Sequence, residues 1–234
     1  MKVRGQRECT ECGTRWSYYD TGEVACPECG SLRSTGVDER TRHTDAPVDL
    51  DLTEPRNRAE EDLTAAAEAA AERCRGFVRR TGFINAGELR PLSDRYLAAA
   101  ELAAVGAAVG RAMRTDDDEE LYLLSLLRGA DAGDRPDPEE VPASLAATRT
   151  LAYASAVDDY RRDVRTYLED DPHPEVQSAL ESIRDHVRRI EALDGEVDVR
   201  AAERLVRSAR EVGQYLAEGD EAALAAAQDR LDAL

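Results

Sequence analysis

Lysine is almost missing: of the 31 basic residues only Lys2 is not arginine. Aromatic and thioether side chains are scarce too, with two Phe, one Trp and two Met. Histidine is limited to His43, His173 and His186, none with a partner in the sequence pattern, so a histidine-built metal or nucleophile–base site has little to work with. No HExxH, Walker loop or GxGxxG occurs, which removes the usual signatures of zinc peptidases, P-loop proteins and dinucleotide binders. Long apolar runs are absent as well: AAAELAAVGAAVG at 98–110 is alanine-rich and interrupted by Glu101, short of a membrane span. The opening MKVRGQRECT has no apolar segment behind its basic residues, so no secretory leader is expected and a soluble, cytoplasmic chain is.

Carboxylates are abundant: 49 Asp and Glu leave a net charge of −18 over 234 residues. Residues 1–42 hold seven basic and seven acidic side chains, so the excess lies entirely beyond them. The chain is long enough for one or two domains with an apolar core, whereas a first module of about 40 residues needs a staple. Five cysteines in a cytoplasmic chain point to metal ligation in preference to disulfides.

Four of those cysteines, Cys9, Cys12, Cys26 and Cys29, form two Cys-x2-Cys pairs thirteen residues apart. A two-residue spacer turns both thiolates of a pair toward one ion. Gly13 and Gly30 follow the second Cys of each pair and Pro27 lies inside the second, with glycine permitting the positive φ such a turn requires. Four thiolates in tetrahedral array suit zinc, and a module this small depends on it to fold. With sulfur at every position no site is left for catalytic water, so the ion is structural. The β-friendly runs KVRGQRE, TRWSYY, EVA and LRST, with a turn at Asp20-Thr21-Gly22, describe a small three-stranded ribbon over 1–35.

CTECGTRW and ACPECGS resemble the knuckle pair of zinc-ribbon and rubredoxin-like proteins, over residues 1–35 only. Plentiful Asp and Glu with almost no Lys resembles proteins of salt-accumulating halophilic archaea, whose negative surfaces stay soluble while salt screens their repulsion. Together these suggest a haloarchaeal zinc-ribbon protein with a helical C-terminal domain. The resemblance implies the ligands and no single function, because the ribbon is a scaffold put to many uses. Rubredoxin-like ribbons also accompany four-helix di-iron proteins, whose helices carry Glu-x-x-His pairs. No histidine here lies three residues after a Glu, which favours Zn2+ over iron.

Residues 36–54 are polar and acidic and read as a linker; from Pro55 to Leu234 the pattern turns helical. About seven helices are expected in an all-α bundle. They cover 55–80 (Leu63, Ala67, Ala70, Cys74, Phe77), 93–114 (Leu102, Val105, Val109, Met113) and 117–128 (Leu121, Leu124, Leu127). A loop at 129–142 precedes helices at 143–170 (Tyr153, Val157, Tyr160, Val164), 174–193 (Val176, Leu180, Ile183, Val187, Ile190) and 198–218 (Leu205, Ala209, Val212, Leu216), and Asp220 caps the last (Leu224, Ala227, Leu231). Asp116 to Glu120 reads as an acidic helix start, favourable against the helix dipole.

Arg4, Arg7, Arg15 and Arg33, with Trp16 and Tyr18, are candidates for contacting nucleic acid or a protein partner, since arginine beside aromatics can hold phosphates and stack on bases. The plainer account, that Trp16 and a tyrosine form the ribbon's small core while the arginines are solvated, has the edge. A second arginine group, Arg73, Arg75, Arg79, Arg80, Arg90 and Arg95, either binds an anion or pairs with the acidic bundle, and pairing is favoured. Cys74 lies on an apolar stripe and reads as core. The expected function is a non-enzymatic binding or adaptor protein. Its ribbon would meet nucleic acid or the transcription or translation machinery, and its bundle would engage a second partner or self-associate. An iron-binding, rubredoxin-like electron carrier is the alternative, followed by an enzyme with its site around Arg79, Arg80, Asn85 and Arg90.

Overall fold

A computed structural model describes residues 1–234. The N-terminal segment builds short strands: β1 (Lys2–Arg4), β2 (Gln6–Cys9), β3 (Arg15–Ser17), β4 (Ser34–Gly36) and β5 (Arg40–Arg42). β2 lies centrally in a three-stranded antiparallel sheet ordered β3-β2-β4, with Arg7 opposite Trp16 and Gly36. The third strand is therefore 34–36, at the end of the expected run LRST, whereas the expected EVA at 23–25 forms no strand. The turn between them is the short helix α1 (Tyr18–Thr21), capped by the Ser17 side chain and ended by Gly22 at φ 66°. KVRGQRE splits at Gly5, where a Cβ would lie 1.8 Å from the Tyr19 ring, and β1 leaves the sheet to pair with β5.

Residues 36–54, read as a linker, are packed along much of their length. They contribute β5, and Leu50 and Leu52 are buried in the main core. Thr44 donates its hydroxyl to Asp163 at 2.6 Å, and Asp45 accepts from Gly82 N–H at 3.1 Å. Asp163 also accepts from Phe83 N–H. These contacts seat the segment on a hairpin of β6 (Ile84–Asn85) and β7 (Glu88–Leu89), turned by Ala86 at φ 53° and Gly87 at φ 88°.

The remainder is helical. Asp62 caps α3 (Leu63–Arg80), and the preceding α2 (Thr53–Ala59) is separate, so the expected 55–80 helix is two. Then come α4 (Asp94–Arg111), α5 (Asp117–Gly129), a single 3-10 turn at Pro138–Glu140, α6 (Ala143–Tyr167), α7 (Pro174–Ala192), α8 (Val199–Glu218) and α9 (Glu221–Asp232). Nine helices thus stand where about seven were expected, the additions being the short α1 and α2. Ser93 caps α4 as expected, and Asp116 and Glu119 form a reciprocal capping box on α5. α6 is central, packing on α4, α7 and α8. No helix is long and apolar enough to cross a membrane.

The stripes expected for α3, α6, α7 and α8 are largely buried. Three assigned residues fail. Met113 lies beyond the end of α4 and is 99% exposed. On α5, Leu121 is 65% and Leu124 36% exposed, while Tyr122, Leu123, Leu126 and the expected Leu127 are buried. The leucine-rich α5 offers two apolar faces, and the one carrying Tyr122 wins because its hydroxyl reaches Glu101 inside the bundle.

Glu101 and Arg149 are both 0% exposed. Arg149 donates to Glu203 at 2.6 Å, Tyr122 at 3.0 Å and the Pro136 carbonyl at 2.9 Å, while Tyr153 donates to Glu101 at 2.7 Å. Burial raises the Glu101 pKa against the pull of Arg149 and both tyrosines. Burial alone would lower that of Arg149, but Glu101 and the tyrosines outweigh it, so the guanidinium stays charged. Buried charges persist only when paired in this way.

Candidate metal centre

The two cysteine pairs adopt one local conformation twice. Cys9 N–H donates to Thr14 O at 2.9 Å and Gly13 N–H returns to Cys9 O at 3.0 Å; Cys26 N–H donates to Ser31 O and Gly30 N–H to Cys26 O, both at 2.9 Å. Each loop closes through a glycine with positive φ, Gly13 at 76° and Gly30 at 71°. In both, a Cβ would meet nothing within 4 Å, so the requirement is backbone conformation and not space.

These loops bring all four sulfurs within 4.8 Å of one another. Cys9 and Cys29 Sγ lie 3.6 Å apart, as do Cys12 and Cys26 Sγ. A tetrahedral ion with bonds of ~2.3 Å to sulfur needs sulfurs ~3.8 Å apart. The donor set therefore fits a metal ion. Cys9 and Cys26 are buried while Cys12 and Cys29 face outward.

The clustered thiols share charge unevenly. The Thr14 hydroxyl, 3.3 Å from Cys12 Sγ, and the Thr14 N–H favour the thiolate and lower Cys12 to about 6. The Ser31 backbone N–H also favours a thiolate at Cys29, but Cys12 and its other sulfur neighbours push Cys29 up to about 12. Metal-free, the cluster resists losing all its protons; a divalent cation supplies the charge that lets four thiolates coexist.

Around this centre the expected contact residues separate. Trp16 is buried with Cys9 and Cys26 as the ribbon's only core, and its indole N–H donates to Glu23 O at 3.0 Å; it is turned inward and cannot offer its face to a base. Arg15 pairs with Glu8 at 2.6 Å and Arg33 with Glu11 at 3.0 Å. Arg4 donates to Gly36 O and Arg7 to Ser34, neither to a carboxylate. Tyr18 is half-buried, edge-on to His43 with ring centroids 6.1 Å apart.

The second arginine group is occupied internally. Arg73 pairs with Glu54, Arg75 and Arg79 with Glu72, Arg90 with Glu88 and Arg95 with Asp49, while Arg80 donates to Pro47 O. Burial pushes the Cys74 thiol up to about 12, in keeping with an inert core residue. Sequence reasoning passed over Arg40, which strand pairing sets opposite Arg4, and Thr14 beside Cys12. Thr14 was open to discovery, lying two residues past a ligand; Arg40 was not, because its neighbours come from a distant strand.

A family model described as "Family of unknown function (DUF7117)" matches residues 1–231. No curated protein and no solved structure matches the chain.

Proposed function

The chain belongs to this DUF7117 family of unknown function, and we propose that it is a non-enzymatic binding protein whose N-terminal zinc ribbon presents a rigid edge to nucleic acid or to the transcription or translation machinery. The observation that carries this reading is the convergence of four cysteine sulfurs within 4.8 Å on two matching loops. Sulfur fills every tetrahedral position, which leaves no opening for a metal-bound water or substrate and argues for a structural ion. Reduced thiols serving as ligands suit a cytoplasmic setting. Iron at the same sulfurs would instead make an electron carrier, for which the outward-facing Cys12 and Cys29 would suit transfer to a partner. Zinc is favoured because the helices hold no Glu-x-x-His pair to form the di-iron centre such a carrier would serve.

Elemental analysis of the full chain, purified under reducing conditions, tests this directly. A colourless protein with one zinc per chain is the expected result. A red protein with stoichiometric iron would move the assignment to electron transfer. A chain with no stoichiometric metal, its first segment still ordered under strong chelation, would overturn both.

A further inference from the structure

The β1–β5 ladder holds an arrangement that folding alone opposes. Antiparallel register sets Lys2 opposite Arg42 and Arg4 opposite Arg40, and like charges directly opposed across a ladder are destabilising. Side chains alternate along a strand, so all four cations share one face. At one end the charge is answered by the bundle: Arg42 reaches Glu169 at 2.8 Å and Asp170 at 3.1 Å, and Lys2 reaches Asp170 at 2.7 Å. At the other end it is not. Arg4 and Arg40 form no ion pair, nor does Arg7 on neighbouring β2, so three arginines without a carboxylate partner lie together at this end.

These three arginines border one open groove of about 410 Å³, whose wall also includes Lys2, Val3, Tyr18, Val24 and Gly36 and no carboxylate. Arg4 is seated by Gly36, where a Cβ would fall 2.5 Å from the Arg4 Cβ and 2.6 Å from its Cδ. Arg7 is steadied by donating Nε–H to Ser34 Oγ at 3.0 Å. The nearby Asp38 commits Oδ2 to the N–H groups of Gly5 and Gln6. Val24 is 48% exposed beside the guanidinium groups.

We propose that this groove binds a single-stranded nucleic acid, with Arg4, Arg7 and Arg40 on its phosphates and Tyr18 against a base. Guanidinium forks match phosphate oxygens. The aromatic and apolar wall gives a base somewhere to lie, which neither a bare anion nor an acidic peptide would use. The proposal rests on the ribbon reading, since the cysteine loops hold β2 and β4 in place. It also accounts for the strained register: cations placed against each other are neutralised when the strand arrives.

The test is fluorescence anisotropy of a short labelled oligouridylate with the full-length, metal-loaded protein across a KCl series. Saturable binding is expected, its logarithm falling linearly with that of salt, with a slope of ~0.7 per phosphate contact. Arg4→Gln and Arg40→Gln should each weaken binding about 10-fold and reduce the slope by ~0.7, and Tyr18→Ala should weaken it about 5- to 150-fold. Arg15→Gln and Arg33→Gln, whose cations are already paired, should leave it unchanged. Because Arg40→Gln relieves a like-charge pair, it should raise thermal stability while weakening binding; a merely structural arginine would lower both. The proposal is overturned by absence of saturable binding, by equal loss in the Arg15 and Arg33 variants, or by equal affinity for polyglutamate or inorganic phosphate. Zinc content measured on the same samples separates the failures: metal without binding sinks only this proposal, and absence of metal sinks the ribbon reading on which it stands.

Discussion

The cysteine ligands are legible in sequence because each pair is shaped by a loop that closes on itself within six residues, from Cys9 to Thr14 and from Cys26 to Ser31. What is not local is harder to read. Trp16 is favoured as a core residue and is one, but nothing in the order of residues says that His43 is buried against Tyr18 and Tyr19, with ring centroids 6.1 and 4.7 Å away. His43 accepts a weak hydrogen bond from Ala86 N–H at its Nδ1, 3.4 Å away, which requires the neutral ring. Burial lowers its pKa below the ordinary 6.5, outweighing the nearby Asp45 that raises it. The unfolded chain therefore takes up a proton that the folded chain refuses, so this contribution is complete above pH 6.5 and is lost as pH falls toward the lowered value. Denaturant unfolding of wild type and His43→Gln, each at pH 7 and near pH 5, should show a smaller loss of stability on acidification in the variant. Metal release at low pH acts on both proteins and cancels in the comparison. Equal losses would remove His43 as a contributor.

Among elements, legibility follows how one-sided the burial is. α7 buries one stripe, Val176, Leu180, Ile183, Val187 and Ile190, and its periodicity announces it. α4 buries Leu97, Ala98, Ala99, Glu101 and Leu102 in near succession, so periodicity fades at its start, and what can be inferred is its existence, its Ser93 cap and the later stripe Leu102, Val105 and Val109. The β1–β5 pairing joins segments almost forty residues apart and leaves no local pattern at all. The α3–α4 seam is close because it is built of small residues. A Cβ on Gly106 would sit 2.7 Å from the Ala67 carbonyl oxygen and 3.2 Å from the Ala71 Cβ. Replacing a helical glycine with alanine gains about 1 kcal/mol in propensity, but a backbone carbonyl cannot rotate aside, and overpacking costs ~1–3 kcal/mol. Gly106→Ala should therefore lower the melting temperature. Gly76→Ala on α3, where a Cβ meets nothing within 4 Å, should raise it by virtue of the same propensity gain. If both substitutions move the midpoint in the same direction, the close approach of these helices is wrong.

At the scale of the whole molecule two cores of very different size stand side by side. The bundle's gathers 43 buried residues, and its charged interior of Glu101, Arg149 and Glu203 is complete without any residue of the ribbon. The ribbon's consists of Cys9, Trp16 and Cys26. Two of those three belong to the four-cysteine cluster, so the ribbon would have almost nothing apolar left to hold it once a bound ion is removed. Its ion pairs to the bundle, Lys2 and Arg42 to Asp170 and Glu169, are partly exposed and contribute little on their own, and the Gly87 N–H donates to Arg42 O at 2.8 Å. Chelation should then unfold the ribbon and spare the helices. The chain's single tryptophan lies in the ribbon and is buried there, so it reports on that event alone. Strong chelator under reducing conditions should shift Trp16 emission to the red while the far-ultraviolet helical signal and the main thermal transition persist, and added zinc should reverse the shift. Collapse of the helical signal together with the tryptophan shift would mean that the bundle depends on the ribbon. The packed segment through Thr44, Asp45, Leu50 and Leu52 would then be the route by which one core supports the other.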